Sequence, residues 1–276
     1  PGSHSEYNDP YDYMAGANNG RGYNAAARLW LGYLPAADAP LLSADGTTNV
    51  TLYALDENPT SPQVRALRVK HAIDTTQSYW IEHRDAIGDG TQSDEMKNSV
   101  FVRRGGSNGL EAWWVEWSAA RLGANHLYAG HTFADRAADL YITPVAQVGT
   151  TNIPAIAVVV TRGPVSDNHP PSFTLTASGT NVARNAVLTL SAADTVDPDG
   201  DALAYGWDFG DGKLSWNNSA VQTKSYGSVG DYVVQCRVSD MRGGETRKSV
   251  VIRVGSPTTR RLSGYVFVPE GPVAGI

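Results

Sequence analysis

Large apolar residues alternate with small or polar ones across one stretch of this chain. Leu203, Tyr205, Trp207 and Phe209 share one parity; Ala204, Gly206 and Asp208 share the other. A period of two places the four large side chains on one face of a strand. Asp197-Pro198-Asp199-Gly200 before it and Gly210-Asp211-Gly212 after it carry turn chemistry: Pro fixes φ, Gly accepts positive φ, and Asp bonds its own backbone. So aromatic a face must be buried against a second sheet, which predicts a sandwich rather than a nucleotide-binding α/β fold. Tyr232, Val234, Cys236 and Val238 repeat the alternation downstream.

Upstream, short apolar runs predict further strands at Asn49–Leu55, Val64–His71, Ser78–Arg84, Ser99–Arg103, Leu110–Ser118, Asp139–Pro144 and Ala155–Thr161. Turns rich in Gly, Asp and Pro separate them, which is the spacing of an all-β sandwich. One segment reads differently. Tyr23–Gly32 holds three consecutive alanines, with Asn24 as N-cap and Gly32 as stop, and predicts a helix.

The central stretch resembles a known family. Trp207-Asp208-Phe209-Gly210-Asp211-Gly212 is similar to the signature of polycystic-kidney-disease (PKD) repeats. Asp197-Pro198-Asp199-Gly200-Asp201 matches that family's acidic turn; Tyr226 and Gly230–Val234, with Val238 and Asp240, match its later strands. The resemblance implies an immunoglobulin-like sandwich over 169–255, found mostly outside cells as a spacer or binding module beside an enzyme.

The opening carries a second, shorter resemblance. Tyr7, Asp9, Pro10, Asp12, Met14, Asn24, Ala25, Leu31, Gly32 and Leu34 resemble the end of the catalytic domain in gametolysin-like and immune-inhibitor-A-like zinc metallopeptidases. Asn8, the inserted Ala15 and Tyr33 depart from that pattern. Tyr79–Arg84 and Thr132–Asp135 resemble segments that follow the catalytic domain in the same enzymes. The resemblance implies that Met14 is the remnant of a Met-turn beneath zinc, and that zinc belongs to the parent enzyme only.

Together these readings divide the chain. Residues 1–38 are a short α-containing remnant of a catalytic domain, and 39–163 a β-sandwich. Residues 164–168 are a linker whose following Pro170-Pro171 favours an extended, semi-rigid spacer. A PKD sandwich spans 169–255, and the first strands of a further, carboxypeptidase-regulatory-like sandwich fall in 256–276. The expected fold is all-β, tandem sandwiches.

Composition narrows the partners. The net charge of −6 at pH 7 offers no basic patch to nucleic acid or anionic lipid. No apolar run is long enough to span a bilayer. The single Cys236 permits no internal disulfide, which suits a bacterial exported protein, and its strand position marks it as a small buried hydrophobe. The expected location is secreted or cell-surface, with other modules of the same polypeptide, and protein or polysaccharide, as partners.

Candidate chemistry is sparse. A zinc peptidase needs His-Glu-x-x-His on one helix. No two of the six histidines (His4, His71, His83, His126, His131, His169) have i, i+4 spacing. His4 falls near where a third ligand would lie, but a tag scar or surface loop is the plainer reading. Gly105–Gly109 spells G-x-S-x-G, yet a Trp-rich strand rather than a helix follows, so it reads as a hairpin turn. Trp113, Val115 and Trp117 share a strand face opposite Trp114, which reads as packing. Asp197, Asp199 and Asp201 admit two readings: a solvated Asx turn, or hard oxygen ligands for calcium, although the Gly falls too early for an EF-hand. Trp216, in the polar run Lys213–Asn218, is either a packed strand edge or an exposed platform for sugar or peptide. Two functional classes follow: a non-catalytic accessory region of a secreted zinc metallopeptidase, or a non-enzymatic adhesion module.

Overall fold

The computed structural model describes residues 23–55, 63–84, 98–106, 113–114, 126–150, 153–165, 167–255, 267–268 and 271–272. Met14 and His4 lie outside these ranges, as do Ser107–Gly109 and Trp117. Helix α1 spans Ala25–Trp30, and Asn24 Oδ1 accepts the Ala27 N–H at 2.8 Å as its N-cap. Gly32 follows at φ +78°.

Ten strands build the first sandwich: β1 (Leu41–Leu42), β2 (Gly46–Tyr53), β3 (Ala66–Lys70), β4 (Gln77–Glu82), β5 (Ser99–Gly106), β6 (Trp113–Trp114), β7 (Leu127–Tyr128), β8 (Phe133–Asp135), β9 (Leu140–Gln147) and β10 (Ala155–Arg162). One sheet runs β1-β3-β4-β5-β6, with β7 also paired to β5; the other runs β2-β10-β9-β8. Leu67, Ile81, Val102, Ile142, Ile156 and Val158 meet between them.

The outer face of the first sheet is not left to solvent. Register pairs Ala66 with Glu82 and Arg68 with Trp80, so these side chains point away from the sandwich core. Helix α1 covers them, packing Ala25 and Ala26 against Trp80, Ala66, Leu55 and Leu34. Glu82 fastens the helix. It is 1% exposed, and one carboxylate oxygen accepts the Ala25 N–H at 2.6 Å. The other lies 2.9 Å from Arg84 Nη2 and 2.5 Å from Arg103 Nη1. Burial would raise the Glu82 pKa; the Arg103 and Arg84 guanidinium groups and the Ala25 N–H outweigh it and hold it at about 2.

Seven strands form the second sandwich: β11 (Thr176–Ala177), β12 (Asn181–Val182), β13 (Leu188–Ser191), β14 (Ala204–Asp208), β15 (Val221–Lys224), β16 (Gly230–Ser239) and β17 (Glu245–Val254). Sheet β11-β13-β15 faces sheet β12-β17-β16-β14. Trp207, Phe209, Leu188, Leu190, Val234, Cys236 and Ile252 fill the space between, with Tyr205 and Leu203 at its edge. Gly210 stands at φ +75°, where a Cβ would lie 2.7 Å from Val233 O, so the loop after β14 closes onto β16 only without a side chain there. A separate hairpin pairs β18 (Phe267–Val268) with β19 (Gly271–Pro272).

The Glu82 cluster yields a stability prediction. Glu82→Gln preserves shape but removes the negative charge between two buried guanidinium groups, which costs about 3–5 kcal/mol. Urea unfolding should show a lowered midpoint with unchanged slope. An unchanged midpoint would mean that the cluster does not hold the helix to the sheet.

Candidate functional site

The acidic turn lies between β13 and β14. Asp197 Oδ1 accepts the N–H groups of Asp199 and Asp201, each at 3.0 Å, so one side chain shapes the whole turn. Ligand oxygens of Asp197, Asp199 and Asp201 fall within 4.8 Å of one another, and this is the only such group among the described residues. Asp197 Oδ2 and Asp201 Oδ2 are buried without a hydrogen-bond partner. Burial raises the Asp201 pKa; the Asp197, Asp240 and Asp199 carboxylates add to this, against the Arg242 guanidinium 3.2 Å away. Asp199 goes the other way. It accepts the His169 backbone N–H at 2.6 Å, with His169 Nδ1 at 3.2 Å, and its pKa is lowered.

The later aspartates do not join this group. Asp208 Oδ1 accepts the Gly210 N–H at 2.9 Å, and Asp211 pairs with Lys224 Nζ at 2.6 Å. The donor set at 197–201 is therefore all oxygen. It fits a hard cation such as calcium and does not fit zinc, whose structural and peptidase sites are built around histidine or cysteine ligands.

Trp216 is 52% exposed, so it is not a packed strand edge. Its carbonyl accepts the Gln147 N–H of β9 at 2.9 Å, which sets the 213–219 loop beside the β9–β10 hairpin. Val148 and Ile153 of that hairpin are exposed as well.

The histidines are dispersed. His83 Nδ1 lies 3.0 Å from Ser99 O, and His126 Nε2 lies 2.9 Å from Tyr128 OH. Burial lowers each to a pKa of about 4. His71 belongs to a cluster that no short motif announces. Its Nδ1 accepts the Asp74 N–H at 2.8 Å and the Ile73 N–H at 3.2 Å, so that nitrogen is unprotonated. Its Nε2 faces Asp135 at 3.5 Å, and the Tyr79 hydroxyl donates to the same carboxylate. Burial lowers the His71 pKa and raises that of Tyr79. The cluster pins the 71–77 turn to β8, with the His71 and Tyr79 rings buried. Asp135 stands 56 residues or more from the other members, so only the spacing of β4 and β8 across the fold reveals it.

Buried neutral histidines make the first sandwich acid-sensitive. In the unfolded chain histidine titrates near 6.5. Below that pH the unfolded state takes up protons that native His83 and His126 refuse until about pH 4. Their contribution is complete above pH 6.5 and declines below it by about 1.4 kcal/mol per pH unit for each. Urea midpoints should fall between pH 7.5 and pH 5, and His83→Gln should flatten the fall if the variant folds. Equal midpoints for the unchanged chain would contradict the burial.

Comparison with known proteins agrees with this geometry over one region. The family model described as PKD domain matches residues 172–253. Collagenase ColA of Clostridium perfringens is 36% identical over 77 residues, 28% of this chain and 7% of that protein. A microbial collagenase of Vibrio alginolyticus is 34% identical over 76 residues, 28% of this chain and 9% of that protein. The chain thus spans under a tenth of either relative. The crystal structure of the PKD1 domain of Vibrio anguillarum Epp aligns at 24% identity, covering 33% of this chain and all of that one, with a TM-score of 0.27. Residues 172–253 form a PKD domain with an immunoglobulin-like β-sandwich.

Proposed function

We propose that this chain is a non-catalytic accessory region of a secreted bacterial zinc metallopeptidase. In this reading it positions the catalytic part and contacts protein substrate, with Trp216 at the contact. The similarity of its PKD domain to segments of two bacterial collagenases carries the reading. The sequence lacks His-Glu-x-x-His, so hydrolysis belongs to another part of the parent polypeptide. The chain should bind immobilised collagen or denatured casein, and Trp216→Ala should weaken that binding several-fold without lowering the melting temperature. Incubated with casein and zinc it should release no peptides; chelator-sensitive cleavage would overturn the reading. Binding confined to chitin or cellulose would favour an adhesion module instead.

We further propose calcium at Asp197, Asp199 and Asp201. Two buried carboxylate oxygens without partners support it, as does an Asp201 pKa raised by burial and by its neighbours. Calcium that binds only the folded state raises the melting temperature with concentration. Millimolar calcium should do so in the unchanged chain and not in Asp201→Asn. An unmoved midpoint would leave a solvated Asx turn.

A further inference from the structure

We infer that the outer face of β14 and the adjoining end of β16 is a docking surface for the first sandwich, so that the two sandwiches move as one rigid body. This goes beyond the proposed function and does not depend on it.

The surface begins at Gly206. Register pairs Gly206 with Arg237 and Ala204 with Ser239, which puts all four on the face away from the Trp207 core. Gly206 is buried although it faces outward. The Ala129–His131 turn of the first sandwich covers it. Gly130 stands at φ +79°, and a Cβ there would fall inside the Gly206 backbone. A Cβ on Gly206 would lie 3.0 Å from Ala129 O and 3.3 Å from His131 Cδ2. Glycine in a strand interior weakens the strand; a second backbone in close approach is one reason to keep it.

Three further contacts surround this one. Thr132 Oγ1 lies 2.6 Å from Ser239 Oγ and 2.7 Å from Thr143 Oγ1, a hydroxyl chain whose outer members, Ser239 and Thr143, are fully buried. Arg136 Nη2 donates to Gly243 O at 2.9 Å, and a Cβ on Gly243 would lie 2.7 Å from the Tyr141 ring. Gln147 N donates to Trp216 O at 2.9 Å. The contacts come from separate segments of each sandwich: the 129–132 turn, Arg136 and β9 on one side; β14, the 240–244 hairpin and the 213–219 loop on the other. Attachment at several separated points removes the rotations that a single contact would leave free. The connection is tied down too, since Asn168 Nδ2 donates to Asp240 Oδ2 at 2.6 Å and His169 N to Asp199. Modules within one chain move independently by default unless the interface is extensive, and this interface is built to prevent that.

Amide nitrogen spin relaxation on the full chain tests the inference. The two sandwiches should report one common rotational correlation time. Gly206→Val suits a strand and touches neither core, but its side chain would collide with the Ala129–His131 turn. It should give two shorter correlation times and a larger radius of gyration by small-angle scattering. Ser249→Val, an exposed outer-face change on β17, should alter neither. Two distinct correlation times in the unchanged chain would overturn the inference whether or not the Gly206 variant folds. A Gly206→Val chain that folds and still tumbles as one body would overturn it as well.

Discussion

Strand β14 serves two interfaces at once, and much else follows from that constraint. Its inward parity supplies Trp207, 2% exposed, to the core of the PKD sandwich. Its outward parity supplies Gly206 to the other sandwich. A slip of one residue would exchange the two sets and ruin both contacts, so the register with β16 is held from both faces. Trp207 also reaches the loop that carries Trp216. Its backbone N–H donates to Ser215 Oγ at 3.0 Å and its indole N–H to Ser219 O at 3.0 Å. The position of the exposed tryptophan is therefore inherited from the buried one.

The first sandwich is built on a different economy. Its outer sheet face carries charge rather than glycine, and Glu82 meets Arg84, Arg103 and the first N–H of α1 in a buried setting. Burying three charges costs desolvation, and an apolar cluster of like volume would be as stable or more so. What the charges add is direction. The Ala25 N–H reaches the carboxylate only if the helix begins at that point on the sheet. Helix α1 is six residues long, too short to hold itself together, so its place is set by this contact and by the alanine face packed on Trp80. From α1 to β17 each unit is thus fixed to the next through backbone groups.

What was legible in the sequence was local. Short apolar runs between Gly-, Asp- and Pro-rich turns gave β2, β3, β4, β5, β9 and β10 to within a few residues, and Asn24 and Gly32 bracketed α1. The Asp-Pro-Asp-Gly and Trp-Asp-Phe-Gly turns mark the PKD domain by sequence alone. The rest depends on partners far along the chain. Leu41–Leu42 is two residues long and becomes a strand only by pairing in parallel with β3. β7 and β8, of two and three residues, carry no periodicity of their own. Glu82 alternates like any strand residue, and nothing near it announces that Arg103 and Ala25 will converge there. Gly206 looks like the small half of an alternation, because the backbone that needs its bareness lies about 75 residues upstream. Pro170-Pro171 suggests a spacer, while the structure bonds the two residues before it to Asp240 and Asp199.

The acidic turn is instructive for the same reason. Asp197 Oδ1 already bonds the two backbone N–H groups that a ligand would otherwise have to organise, and His169 already bonds Asp199. The turn's shape is thus supplied by protein hydrogen bonds, while its charge is not balanced: among the described residues Arg242 is the cation paired with Asp201, and it is itself well exposed. A divalent cation would correct the charge far more than the geometry. Such a turn is preorganised, since the conformational cost of gathering its carboxylates is met when the domain folds. That separates it from a flexible acidic loop, and ties any affinity it has to the integrity of β13 and β14 on either side.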